Sequence, residues 1–329
     1  PQLGGIVRML RFILRTMLAM EGIGACLFAI RFIPDYGLLR GTWYSIFHAI
    51  SAFCNAGFDL MGHWQPYSSM TRYADDPLVL GTVMALIVLG GIGFFVWDDI
   101  AKNQWHFRNY TLQTKVVLTT TALLLILPFL WFWLCEFVHW NGMSTGKQAL
   151  SALFQTVSPR TAGFNNVDLN QLSGGSQMLT ILLMLVGGSP SSTAGGIKTT
   201  TLAILLLALR AAFTSDHQVH CFGRRIPAQV ITRTLVVSVL YGTLFLAASM
   251  ALIQLEPITM EEALFECASA IGTVGLTLGI TPELGAISKG ILILLMYLGR
   301  VGGLTLVYAV SGTGKRLHYT LPEESIGIG

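Results

Sequence analysis

FQTVSPRTAGF, residues 154–164, runs from an apolar helical stretch into a glycine followed by an aromatic residue. FHAISAFCNAGF (47–58) and FECASAIGTVGL (265–276) repeat it. The shared pattern is Phe-x3-Ser, then four or five residues, then Gly followed by Phe or Leu. The glycines at 57, 163 and 275 stand 106 and 112 residues apart, a period of domain size. One Phe-x3-Ser carries no information. Three in the same surroundings do.

Those surroundings are membrane-like. Hydrophobic residues make up 53% of the 329-residue chain and charged residues 11%, with a mean hydropathy of +0.63. Soluble domains carry roughly 25% charged residues, so the composition is that of an integral membrane protein. Long apolar spans are predicted near 6–32, 78–97, 116–138, 177–210, 230–254 and 286–310. Between the members of each pair lies a shorter apolar run: WYSIFHAISAFC (43–54), KQALSALFQTV (147–157) and MEEALFECASAI (260–271). A bilayer core needs about 20 apolar residues per helix, and runs of about 10–14 suit re-entrant segments. Long, short, long, three times over, outlines a helix, pore helix and helix unit over 1–103, 104–215 and 216–329. If the short runs dip in from outside, twelve Lys and Arg fall on the inner side and six, Arg160 among them, on the outer. That agrees with the cytoplasmic excess of positive charge in membrane proteins.

A re-entrant helix entering from outside aims its C-terminus, with about half a negative charge, at the bilayer centre, where it favours a cation. The chain must then leave as extended backbone, which survives at that depth only inside protein or along a watery path. Rings of such carbonyls replace the hydration shell of alkali cations in channel filters. The candidate filter residues are therefore Asn55, Ala56, Gly57 and Phe58; Thr161, Ala162, Gly163 and Phe164; and Thr273, Val274, Gly275 and Leu276. K+ is expected at Asn55, Thr161, Thr273 and the neighbouring backbone carbonyls. Three arcs do not balance a ring, and a fourth repeat of roughly 110 residues is expected upstream of Pro1. The opening PQLGGIVRMLRF has no signal-peptide form.

The stretch GGSPSSTAGGIKTTT (187–201) interrupts the span 177–210. It is not a phosphate loop, because Ile197 separates Gly196 from Lys198 and no soluble strand precedes it. Pro190 removes a backbone donor, and the glycines do not propagate a helix cheaply. The span is thus expected to break into an intramembrane loop of Gly187, Gly188, Ser189, Pro190, Ser191, Ser192, Thr193, Ala194, Gly195 and Gly196. A kinked helix with self-bonded serines is the plainer alternative.

On NAGF, TAGF, TVGL, GGSPSSTAGGIKTTT and the LGRVGG of the last span, the chain resembles the membrane subunits of the bacterial Ktr/Trk/HKT potassium-transporter superfamily, and among them the KtrB type. The likeness extends over essentially the whole chain, as repeats two to four of the family's four. It implies an all-α integral membrane fold of helix–pore helix–helix units around a central cation pore, with the 187–196 loop as the gate beneath the filter. It implies a potassium uptake subunit in the bacterial plasma membrane, filter mouths outside, with K+ as cargo and Na+ as activator. It also implies a homodimer bound to a cytoplasmic KtrA-like ring of RCK-type subunits that bind nucleotide. The tail HYTLPEESIGIG then suits a subunit interface.

Arg300 joins the gate by counting. From segment glycine to helix glycine there are 24 residues in the second and third copies and 33 in the first, whose connection WQPYSSMTRYADD is longer. Gly91, Gly188 and Arg300 are therefore equivalent. An Arg at mid-membrane costs about 2.5–3.5 kcal/mol, so its head should face water or the freed carbonyls of the loop, as a fixed positive barrier or as a tie between helices.

Other candidates are weaker. Asp216, His217, His220 and Cys221 lack the spacing of a metal site, and the five cysteines suggest no disulfide framework. Asp59 and Asp168 follow the segments and either draw cations to the outer mouth or are solvated loop carboxylates. Glu21 and Glu136 are expected to pair with polar neighbours, and WFWLCEFVHW (131–140) reads as an interfacial aromatic belt. No nucleophile, base and orienter set is found, so neither an enzyme nor an organic cofactor is expected. A net charge of +3 does not suggest nucleic acid. The rival readings are a secondary cation transporter with alternating access at broken helices and a membrane NTPase using Lys198.

Overall fold

A computed structural model describes residues 3–64, 66–104, 106–140, 142–214 and 218–302. The chain forms α1 (Leu3–Tyr36), α2 (Leu38–Phe53), α3 (Pro77–Ile92) and α4 (Phe94–Asn103). Then come α5 (Leu112–Trp131), α6 (Thr145–Val157), α7 (Gly174–Leu185) and α8 (Thr199–Phe213). After a hairpin of β1 (His220–Cys221) and β2 (Arg224–Arg225) follow α9 (Ala228–Leu255), α10 (Met260–Gly272) and α11 (Ala286–Val301). Apart from that hairpin of two-residue strands, the regular structure of the described residues is helical, as expected of an all-α fold.

Three segments, Ile6–Tyr36, Leu112–His139 and Ala228–Leu255, are long and apolar enough to cross a bilayer. They expose Leu18, Ile30, Val239 and Leu246, side chains at home in lipid and unfavourable in water. Each is followed by a short helix, α2, α6 or α10, and side chains cap the last of these and α3. Thr259 opens α10 through a capping box, accepting from the Glu262 N–H while Glu262 Oε2 accepts from the Thr259 N–H at 2.8 Å. Asp76 caps α3 ahead of Pro77 and also pairs with Arg31 of α1 at 2.8 Å.

The short helices sit at the centre. Phe154, Ala162 and Phe164 pack with Phe28, Phe32 and Phe53 in one core. Phe265, Val274 and Leu276 pack with Phe132, Met184 and Phe245 in the other.

Three expectations are corrected. The predicted span 78–97 is not continuous: α3 stops at Ile92, and the chain turns by 90° into α4 at Gly93, whose φ of +98° only glycine adopts freely. The span predicted over 286–310 likewise ends at Val301 with Gly302 at φ +88°, its remainder lying outside the described residues together with the tail. GGIG at 90–93 and GRVG at 299–302 are equivalent in sequence, and among the described residues the helix is interrupted after Ile92 as well as near Gly187, where the sequence reading expected one break. The aromatic stripe at 131–140 is also divided. A π-helical turn over Phe132–Glu136 re-phases the helix, burying Phe132 and Phe137 completely while Trp131 and Val138 stay exposed.

Close approach explains two glycines. A Cβ on Gly90 would stand 1.9 Å from Phe53 O, and one on Gly299 would stand 2.1 Å from Ile271 O. Gly90→Ala is therefore expected to push α3 off α2 and lower the amount of folded protein in the membrane. Gly81→Ala, whose Cβ meets nothing on the same helix, should keep that amount or raise it, since Ala is favoured over Gly by about 1 kcal/mol in a helix. Equal levels of the two variants would refute the packing account.

Candidate functional site

Each short helix runs straight into its glycine segment. Asn55, Thr161 and Thr273 take φ of +49°, +69° and +53°, and Gly57, Gly163 and Gly275 take +73°, +82° and +95°. Left-handed backbone costs a non-glycine residue about 1–2 kcal/mol, and here that strain recurs at three equivalent positions. The serine of Phe-x3-Ser holds it in place. The carbonyls of Ser51, Ser158 and Ser269 accept from the N–H groups of Ala56, Ala162 and Val274 at 2.9, 3.1 and 2.8 Å. The hydroxyls reach one step further. Ser51 Oγ donates to Phe58 O at 2.7 Å, the Ser158 hydroxyl donates to Phe164 O, and Ser269 Oγ accepts from the Gly275 N–H at 3.1 Å. Phe-x3-Ser is therefore spaced to tie an extended segment back onto its own helix.

The segments lie edge to edge. A Cβ on Gly57 would stand 2.2 Å from Ala162 O, and one on Gly163 would stand 1.9 Å from Val274 O. One on Gly275 would meet no atom within 4 Å. The glycines thus allow the backbone of each following segment to approach. The Thr161 and Thr273 hydroxyls are buried, yet they have no hydrogen-bond partner among the described residues, an uncommon state for buried polar groups. Asn55 differs, because its amide group donates to Ile87 O and Ala52 O at 3.2 Å.

Below the segments the span 177–210 breaks between Leu185 and Thr199. Its two ends are clamped: the Gly187 N–H donates to Ile197 O at 2.8 Å, and the Ile197 N–H donates to Leu185 O at 3.3 Å. The loop between them docks on α3 and α2. Ser189 N–H donates to Gly91 O at 2.9 Å, and Thr193 Oγ1 donates to Phe53 O at 3.0 Å. Ser191, at φ +60°, accepts from the Phe94 N–H at 3.0 Å. Ser189 and Thr199 hydroxyls meet at 2.8 Å, and Ser192 Oγ accepts from the Ala194 N–H at 3.3 Å. Gly195 backs onto Thr273, since its Cβ would stand 2.1 Å from Thr273 Oγ1, and a Cβ on Gly187 would stand 3.0 Å from Thr161 Cγ2. The loop therefore lies against the segments' inner ends, with half-buried Pro190 near its tip. Two cations hold it: Arg300 Nη1 donates to Thr193 O at 2.8 Å, and Lys198 Nζ donates to Ala194 O at 2.6 Å. Lys198 is thus engaged within the loop.

The remaining candidates serve local structure. Asp59 accepts from the Met61 N–H and Asp168 from the Asn170 N–H, at 2.9 and 3.0 Å, as turn-forming carboxylates. Glu136 accepts from Ser173 Oγ at 2.5 Å and Trp140 Nε1 at 3.1 Å. Glu21 has the Cys54 thiol at 3.9 Å. No group of three or more His, Cys, Asp or Glu could hold a metal among the described residues, and Asp216 and His217 lie outside them. Arg160, counted with the outer cations, is instead buried and lines a small cavity with Thr121, Gly91 and Gly188. Its place directly before Thr161 turns it inward. Sequence reasoning missed Gly90, Gly91 and the Phe53 carbonyl as the docking points of the loop. The signal was LGGIG at 89–93, the counterpart of VGGSP at 186–190.

The TrkH family of cation transport proteins matches residues 2–314. The chain is 40% identical to the potassium/sodium uptake protein NtpJ of Enterococcus hirae, over 100% of this chain and 73% of that protein. It is 37% identical to the Ktr system potassium uptake protein B of Vibrio alginolyticus, over 98% of this chain and 70% of that protein. Among solved structures, the potassium transporter TrkH from Vibrio parahaemolyticus superposes with a TM-score of 0.77 at 20% identity. That superposition covers 95% of this chain and 65% of the other, a likeness of fold. With a family model matched along nearly all of its length and relatives this similar, the chain belongs to the TrkH family of cation transport proteins.

Proposed function

We propose that this chain is the ion-translocating subunit of a bacterial potassium uptake system, with NAGF, TAGF and TVGL as its filter and Gly187–Gly196 with Arg300 as its gate. The observation that carries the reading is the edge-to-edge nesting of three identically bent segments above an intramembrane loop. Backbone carbonyls and the Thr161 and Thr273 hydroxyls replace part of the hydration shell of K+. Asn55, its amide engaged with α3, contributes its carbonyl. The C-termini of α2, α6 and α10 add partial negative charge. The units 1–103, 104–215 and 216–329 bring one arc each, and a fourth arc of the same kind closes the ring against Gly275.

The relatives' names, as potassium and potassium/sodium uptake proteins, favour K+ as cargo, with Na+ as second ion or activator. The reading includes a second copy and a cytoplasmic nucleotide-binding RCK-type ring as partners, with the filter mouth outside, as the family resemblance implies. The distribution of Lys and Arg agrees with that orientation.

Flux from K+-loaded liposomes containing the complete transporter tests conduction. Efflux is expected to keep rising with the K+ gradient well beyond the point at which a rocking carrier saturates. Saturation at low turnover would favour alternating access at the breaks near Gly93 and Gly187 instead.

A further inference from the structure

The residue after the pore-helix phenylalanine is His48, Gln155 or Glu266, polar in all three copies and buried behind the segments. Nothing in ion coordination requires it. Its partners explain it in two copies. His48 Nε2 accepts from the N–H of Leu60, three residues beyond Gly57, at 3.3 Å. Its Nδ1 lies 2.7 Å from Tyr44 O, and donation to that carbonyl leaves Nε2 as the acceptor. Glu266 faces the equivalent chain. Its Oε1 accepts from the Thr277 hydroxyl and its Oε2 from Thr281 Oγ1 at 3.0 Å. Thr277 Oγ1 in turn accepts from the Gly279 N–H at 2.9 Å. In the second copy Gln155 turns instead to Thr180, and Asn166, three beyond Gly163, is held by Ser151 Oγ of the same helix at 3.2 Å.

We propose that His48 and Glu266 are positioning residues that fix where the first and third filter segments leave the pore, and so set the spacing of the outer carbonyls that discriminates K+ from Na+. This rests on the filter reading above. The serine ties hold the segment at its glycine, whereas these ties hold it about one turn farther out. Without them the exit backbone is anchored at one end only, and carbonyls free to move inward fit the smaller ion as well.

The test measures K+ against Na+ uptake, with protein abundance, in cells whose other potassium uptake systems are removed. His48→Phe keeps a ring and loses the acceptor. Glu266→Leu loses both carboxylate oxygens, and Thr281→Val removes one tie from the half-buried loop side. Each is expected to reach the membrane and to lower K+/Na+ discrimination by about five-fold, the factor that about 1 kcal/mol of lost hydrogen bonding carries. His48→Gln and Glu266→Gln, which keep an acceptor oxygen, should retain discrimination. Wild-type discrimination in His48→Phe, Glu266→Leu and Thr281→Val overturns the proposal. So does loss of protein in all three, which would make these residues supports of the fold. If Gly163→Asp alters discrimination and these variants do not, this inference alone fails; if none does, the filter reading fails with it.

Discussion

Gly163→Asp is expected to remove most of the discrimination between K+ and Na+ while the protein still reaches the membrane. Gly163 has φ +82°, a conformation that costs any L-residue about 1–2 kcal/mol. The larger effect is steric. A Cβ there would stand 1.9 Å from Val274 O and 2.9 Å from Val274 C, so the second and third segments must separate. A carboxylate then enters a space lined by carbonyl oxygens and attracts small cations without regard to size. Discrimination should fall by about ten-fold or more, since each 1.4 kcal/mol of lost preference is a factor of ten. Gly57→Asp meets Ala162 O at 2.2 Å and should behave in the same way. Ion competition during potassium-limited growth reads the effect. Unchanged selectivity in Gly57, Gly163 and Gly275 variants alike would rule out these segments as the filter.

Arg300→Gln is expected to fold, reach the membrane and conduct faster than wild type. Two arguments agree in sign. A guanidinium that does not lose its proton stands as fixed positive charge beneath the filter and opposes cations. It also donates to Thr193 O, and a hydrogen bond to a charged group holds the loop with about 1.5–3 kcal/mol. Losing that contact shifts a closed loop towards open by about ten-fold or more. Arg300→Lys separates the two contributions, because it keeps the charge and loses the guanidinium geometry. Wild-type flux in the Lys variant assigns the effect to charge, and fast flux assigns it to the tie. Deleting several residues of the Gly187–Gly196 loop should raise flux in the same direction. Normal abundance with reduced transport in Arg300→Gln would reject a gating role and leave Arg300 as a structural tie.

Much of this molecule is legible along the chain. Windows of about 20 apolar residues locate α1, α5 and α9 because a bilayer core demands that length whatever surrounds it. The break near Gly187 is visible because glycine and proline weaken a helix locally, wherever it packs. The interval from serine to glycine is readable for the same reason, since Ser158 and Phe164 are joined within one turn of chain. What the sequence could not decide are partnerships between residues about a hundred or more positions apart. Gly57 abuts Ala162, Thr193 docks on the Phe53 carbonyl and Arg300 reaches back to Thr193. No periodicity encodes these pairs, because a backbone carbonyl is the same in every residue and only packing selects which one is met. Arg160 shows the limit in one side chain. Hydropathy assigns a guanidinium to water, but its neighbour Thr161 is wound into a left-handed turn and carries it inside. The bend at Gly93 follows the same logic. Glycine permits a positive φ, and tertiary contact with the loop decides that α3 turns there: the Phe94 N–H, just beyond Gly93, is captured by Ser191 O.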